Sequence, residues 1–272
     1  MQYRPSSPLS MPPVVKNLIM INVVMLVATW ALKSTGLDLT EKLGLYYPGS
    51  ENFRPYQLVT HMFMHAYFGH LFFNMFALYM FGKVLEMVWG SKRFLIYFLV
   101  TGLGAATLHL FVNYLELSNV AKHVNAFANT PSPELLAAFV KSNLGSHAAP
   151  WVQDFINQWS DSPGSPALTQ KGIDIAQQIF QQRINIPTVG ASGAVFGILL
   201  AFGVLFPNTE LMLLFPPVPI KAKYFVIGYG LIEVYLGFTQ SNSNVAHFAH
   251  LGGMLFGYML LRYWNVSSKN FY

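Results

Sequence analysis

No cysteine occurs in the 272 residues, so disulfides, a thiolate nucleophile and Cys-ligated metal are excluded, and the redox compartment stays open. Charge is nearly as scarce. Sixteen Lys and Arg and 11 Asp and Glu make up 10% of the chain, against about 25% in an average soluble domain. Hydrophobic residues make up 53%, with 23 Phe, 14 Tyr and 12 Met. So few charges cannot cover a soluble fold of this size, and a largely apolar surface is tolerated only in lipid. A cytosolic enzyme, a disordered tail and a nucleic-acid-binding module are excluded. The formal charge of +5 comes without a basic stripe and reads as cytoplasmic anchoring of membrane helices.

The apolar runs divide the chain. Residues 1–13, with four Pro and several Ser, read as a flexible cytoplasmic tail. The stretch Val14–Leu32 exceeds a signal-peptide core and lacks a small-residue cleavage site, so it reads as a retained first span. Further spans are expected at His61–Val84, Phe94–Tyr114, Thr188–Phe206, Tyr224–Phe238 and Val245–Trp264, the fourth punctuated by Pro187 and Pro207. Each can cross roughly 30 Å of hydrocarbon, some with help from flanking residues. Six spans put both termini on one side. Arg4, Lys16, Lys83, Lys92, Arg93, Lys221, Lys223, Arg262 and Lys269 fall there, against Lys33, Lys42 and Arg54 in the opposite short loops. Positive-inside then makes both termini, including the tail 265–272, cytoplasmic. The expectation is an all-α, six-helix membrane bundle over 14–264, in a bacterial inner membrane.

The bundle is interrupted by a long extracytoplasmic insertion, 115–186. Its charges nearly cancel, and helical patterns recur at Pro133–Val140 and Ile173–Ile184, the latter with Ile175, Ile179 and Phe180 on one stripe. A structureless loop of this length would be unusual, so helices packed on the outer surface are expected.

Polar side chains inside spans are costly and each calls for a functional hypothesis. The second span carries His61, His65, His70 and Asn74; the last two differ by about 40° of helical rotation and share a face. The fourth carries Gly190-Ala191-Ser192-Gly193, and the sixth His247-Phe248-Ala249-His250-Leu251-Gly252-Gly253 with Gly257 beyond. Singly, Ser192 suggests a backbone bond and Gly193…Gly197 small-residue packing. Together, three spans bring groups suited to acyl transfer to their outer ends. A zinc protease would need His-Glu-x-x-His, absent around both His pairs, and every Asp (Asp38, Asp154, Asp161, Asp174) lies outside the spans. A hydroxyl nucleophile with an imidazole base remains.

These residues resemble the rhomboid family of intramembrane serine proteases. Gly190-Ala191-Ser192-Gly193 is similar to its Gly-x-Ser-Gly nucleophile motif, and His250…Gly253…Gly257 to its sixth-helix pattern. His70…Asn74, and Gly82…Glu86 followed by Gly90-Ser91, resemble its second-helix motifs. The resemblance covers about residues 14–264. It implies a Ser192–His250 dyad without an orienting carboxylate, with the oxyanion held by the Ser192 N–H, His70 and Asn74. It also implies that Phe196 stacks on the catalytic imidazole and that Gly190 and Gly193 permit close backbone approach. Gly253 and Gly257 would let the fourth and sixth helices meet. His61, His65 and His247 are water-cavity candidates, while Glu86 and Glu233 read as structural hydrogen-bonding groups. Tyr56-Gln57 stands where the family commonly has Trp-Arg, which leaves the first loop's anchoring open. No cofactor or metal is implied. The expected partners are transmembrane protein substrates and the lipid bilayer, with no nucleic acid; the oligomeric state stays unknown. The alternatives are an inactive relative that binds membrane clients, and a transporter using the histidines as a proton path, which lacks the expected repeats.

Overall fold

The computed structural model describes residues 11–145, 148–212, 217–239 and 246–267. Most of the tails 1–13 and 265–272 lie outside the described residues, as does Val245. Helix α1 (Pro13–Lys33) starts with Pro at its first position, where a missing N–H costs nothing. The next two amides, of Val14 and Val15, donate to Glu86 Oε1 and Oε2 at 2.9 and 2.8 Å, and Ser91 Oγ donates to the same carboxylate at 2.7 Å. A buried carboxyl group thus caps a helix whose first amides would otherwise lack partners. The structural role expected of Glu86 agrees with these contacts.

Two short helices, α2 (Leu39–Leu43) and α3 (Gln57–Thr60), and a 3₁₀ turn at His61–Phe63 lead to α4 (Phe68–Ala77). A π turn at Leu78–Gly82 joins α4 to α5 (Lys83–Trp89), and Gly90 at φ 78° ends the helix. Helix α6 (Ser91–Asn129) has 39 residues. At 1.5 Å per residue it is about 58 Å long, nearly twice a hydrocarbon core. Helices α7 (Pro133–Leu144), α8 (Pro150–Asp161) and α9 (Pro166–Ile184) follow, then α10 (Ser192–Leu205). A hairpin of β1 (Glu210–Met212) and β2 (Pro219–Lys221) connects to α11 (Ala222–Thr239) and α12 (His247–Ser267).

Two separate cores result. One gathers Val15, Leu18, Leu78, Phe94, Phe98 and Ile198 from α1, the π turn, α6 and α10. The other packs the far end of α6 (Val120, Val124, Phe127) against α7, α8 and α9 around fully buried Trp159. Ser132 and Ser165, each followed by Pro, accept the Leu135 and Leu168 amides and so start α7 and α9. Among the described residues, three helical stretches are long and apolar enough to cross a membrane: Pro13–Lys33, Phe68–Trp89 and Ser91–Asn129. Their outward residues are large and apolar, such as Val24, Val27, Phe73 and Met87, all more than half exposed. Such a surface belongs in lipid.

Several expected boundaries shift. The second span begins at Phe68 rather than His61, because Tyr67 is extended (φ −158°, ψ 166°) and His61 sits on its own 3₁₀ turn. The third helix runs 15 residues past Tyr114, since residues 115–129 contain neither Gly nor Pro to stop it. The fourth starts at Ser192 rather than Thr188, because Thr188 is bridged to Leu45 and Gly190 takes φ 126°. Helix α8 was not anticipated.

Candidate active site

The approach to α10 is held from outside the helix. Thr188 and Leu45 exchange backbone bonds at 2.9 and 2.8 Å, and the Gly190 N–H donates to the His61 carbonyl at 2.9 Å. Gly190 combines a positive φ with a neighbour that excludes a side chain: a Cβ there would lie 2.8 Å from the His70 ring. This turn delivers Ser192 as the first residue of α10, where the amides lack intrahelical partners and the helix dipole favours negative charge.

Ser192 Oγ lies 2.9 Å from His250 Nε2, a hydrogen bond between α10 and the first turn of α12. Phe196 stacks on the His250 ring with centroids 4.1 Å apart and planes within 5°. Tyr229 packs behind Phe196 at 5.0 Å. The two helices approach through glycine: a Cβ on Gly253 would land on the Gly193 carbonyl, whose carbon would be 2.7 Å away. Gly193 itself faces Ala105 of α6. Gly257 differs from expectation, because its neighbours are Tyr97 and Thr101 of α6, not α10. It lets α12 meet the third span rather than the fourth.

The other side of the imidazole is occupied by a carboxylate, contrary to expectation. Glu233 Oε2 of α11 lies 2.9 Å from His250 Nδ1, an ion-pair distance short of an aligned hydrogen bond. The same oxygen makes an aligned 2.7 Å bond to His247 Nδ1. All three side chains are at least nine-tenths buried. Desolvation forbids a lone carboxylate there, so α11 rotates Glu233 toward two imidazoles on α12. A proton on His250 Nδ1, facing the carboxylate, leaves Nε2 to accept from the Ser192 hydroxyl. The ligand atoms of Glu233, His247 and His250 lie within 4.8 Å of one another, which makes them the candidate metal ligands among the described residues.

A cavity of about 1640 Å³ opens beside this pair. Ser192, His250, His70 and Asn74 line it, and so do Arg183 and Asn143 from the helices after α6. Asn74 Nδ2 donates to the His70 carbonyl at 3.0 Å, one turn back, so one of its N–H groups points away from the cavity. The three water-cavity candidates fare differently. His61 lines the cavity, yet its Nδ1–H donates to the Gln57 carbonyl at 2.8 Å. His65 is 2% exposed and packs edge-on against His70 at 4.9 Å, away from the cavity wall. His247 touches the cavity but is committed to Glu233.

One group escaped the sequence reading, and a second was named there without a role. His109, midway along α6, lines the cavity and places Nε2 2.7 Å from Thr188 Oγ1, with Asn113 Nδ2 at 3.2 Å. Its signal was a polar residue inside an apolar run. Gln57 supplies the first loop's anchor: it accepts from the Arg54 amide at 2.9 Å and donates to the Asn52 and Lys42 carbonyls at 3.0 and 3.3 Å.

Apolar spans define an integral membrane protein, and a Ser–His pair joins two of its helices. The rhomboid domain model matches residues 52–120 and 171–264, and the chain belongs to the rhomboid family. The residues between these blocks comprise the end of α6, α7, α8 and the start of α9. The chain is 28% identical over 202 residues to RHOMBOID-like protein 12, mitochondrial, of Arabidopsis thaliana, covering 74% of this chain and 44% of that protein. It is 27% identical over 206 residues to an uncharacterized mitochondrial rhomboid protein of Schizosaccharomyces pombe, covering 75% and 49%. The chain thus spans about half the length of these relatives. Their mitochondrial names do not fit the expected bacterial inner membrane.

Proposed function

We propose that this protein is an intramembrane serine endopeptidase that cuts transmembrane or membrane-adjacent segments of other proteins. The observation that carries the reading is the 2.9 Å contact between Ser192 Oγ and His250 Nε2, made by two separate helices at the wall of a large cavity. Ser192 attacks the peptide carbonyl carbon as His250 Nε2 takes the hydroxyl proton. The resulting imidazolium then protonates the leaving amine, and water repeats the sequence to release the acyl group. The Ser192 N–H, His70 and Asn74 receive the oxyanion, aided by the start of α10. Substrates enter laterally as locally unwound segments, because an intact helix hides its carbonyls in i→i−4 bonds.

The same reading takes the fold as six spans, formed by α1, α4–α5, the first part of α6, α10, α11 and α12. Both termini are cytoplasmic. The helices α7 to α9 form an extracytoplasmic insertion at the mouth of the cavity. Support comes from the length of α6, from the gap between the two matched blocks, and from Arg183 and Asn143 at the cavity wall.

Cleavage of a model transmembrane substrate by the purified protein in liposomes tests this. The wild type is expected to cut, and Ser192→Ala and His250→Ala to fold normally and leave the substrate intact. Retained cleavage in either variant overturns the assignment.

A further inference from the structure

The pairing of Ser192 with His250 accounts for one side of the imidazole only. Glu233, His247 and His250 are each less than a tenth exposed, and the carboxylate spends one oxygen, Oε2, on both rings. His247 and His250 differ by about 60° of rotation on α12, so both can reach one point on α11. Each of these groups is expensive to bury. A helix–helix contact alone would need one hydrogen bond, not an ionisable cluster behind the proposed base.

We propose that Glu233 is a positioning residue for His250, making the site a Ser192–His250–Glu233 triad, with His247 holding the carboxylate in place. This rests on the protease reading above. As His250 Nε2 takes the Ser192 proton, the ring becomes cationic in a water-poor site. The carboxylate at 2.9 Å supplies the counter-charge and keeps the Nδ1–H tautomer, so that Nε2 presents its lone pair to the hydroxyl. The proton stays on His250 until it passes to the leaving amine, and Glu233 neither gains nor loses one. The His250 Nδ1 contact is short but imperfectly aligned; such bonds tighten when substrate is bound. The distances also separate this role from metal binding. Two ligands of one tetrahedral zinc, each at about 2.0–2.1 Å from the ion, are held about 3.3 Å apart. The observed 2.7 and 2.9 Å separations suit N–H···O contacts instead.

The test is a steady-state cleavage series on the 272-residue protein in liposomes, comparing wild type, Glu233→Gln, Glu233→Asp and Ser192→Ala, with melting temperatures measured in parallel. Glu233→Gln is expected to lower kcat on the order of 10²-fold or more while KM stays within about twofold. Glu233→Asp, which restores the charge, is expected to recover part of kcat. A Glu233→Gln enzyme within threefold of wild-type kcat, beside an inactive Ser192→Ala, overturns the Glu233 role and leaves the dyad standing. A proportional fall in melting temperature, not rescued by Asp, assigns Glu233 to helix packing and also overturns it. Cleavage retained by Ser192→Ala removes the protease reading itself.

Discussion

Replacing Gly253 with alanine should separate the two helices that carry the proposed nucleophile and base. The added methyl would sit on the Gly193 carbonyl, with the carbonyl carbon 2.7 Å from it. Carbon atoms in contact rest at about 3.5–4.0 Å. Both partners are fixed to helical backbone, in the first turn of α10 and the second of α12, so neither can swing aside as a long side chain would. Relief therefore requires α12 to move away from α10 by about 1 Å. The Ser192 Oγ to His250 Nε2 distance starts at 2.9 Å, and the same shift carries it beyond hydrogen-bond reach. A misplacement of this size costs about 10²-fold in rate. The assay is kcat/KM for a transmembrane substrate in liposomes, with a thermal melt alongside. Gly228→Ala is the control: it lies in α11, nothing stands within 4 Å of the added methyl, and alanine gains about 0.5–1 kcal/mol over glycine within a helix. Gly253→Ala activity within threefold of wild type would refute the close-approach argument.

Other expectations follow from buried polar groups away from the Ser192–His250 pair. Burial pushes the His61 imidazole down to about 4, against an opposing bond to the Gln57 carbonyl. Burial and then the neighbouring His70 push His65 to about 3. Both groups are neutral when folded and protonate more readily when unfolded, so the stability they protect is full above about pH 6.5 and falls as pH drops toward 4. From His61 alone the loss is on the order of 3 kcal/mol, readable as a falling melting temperature across that window. His65→Leu, which removes a ring whose nitrogens have no partner among the described residues, should flatten part of the fall; an unchanged slope would contradict it. Glu86→Ala leaves the Val14 and Val15 amides and Ser91 without their acceptor. It should cost about 2–4 kcal/mol, seen as a lower denaturation midpoint. Gln57→Leu should loosen the segment Lys42–Gln57, detected as faster amide exchange there, since its side chain bonds four backbone groups.

The Ser192 and His250 neighbourhood was legible because glycine at helical spacing and intramembrane polar groups are costly choices that point to one place. The break before α4 was not, because residues 61–76 are apolar apart from His61, His65, His70 and Asn74, and Gly69 is the sole helix-weakening residue among them. That turn is tied to a distant part of the chain: the His61 carbonyl accepts both the Met64 amide and the Gly190 amide, 129 positions away. The length of α6 was misjudged because bilayer thickness, not a breaker residue, set its expected end at Tyr114. The Glu233 contact depended on the rotation of α11, which its nearly all-round apolar sequence does not specify. An intramembrane carboxylate was visible; which face it served was not.

The central claim is that Ser192 is a nucleophile activated by His250. Reaction of the purified protein with a fluorophosphonate, followed by peptide mapping, tests it most directly. One phosphonylated residue, Ser192, is expected, with labelling lost in His250→Ala and sharply slowed in Glu233→Gln. Labelling elsewhere, or at Ser192 with equal speed in His250→Ala, would contradict it.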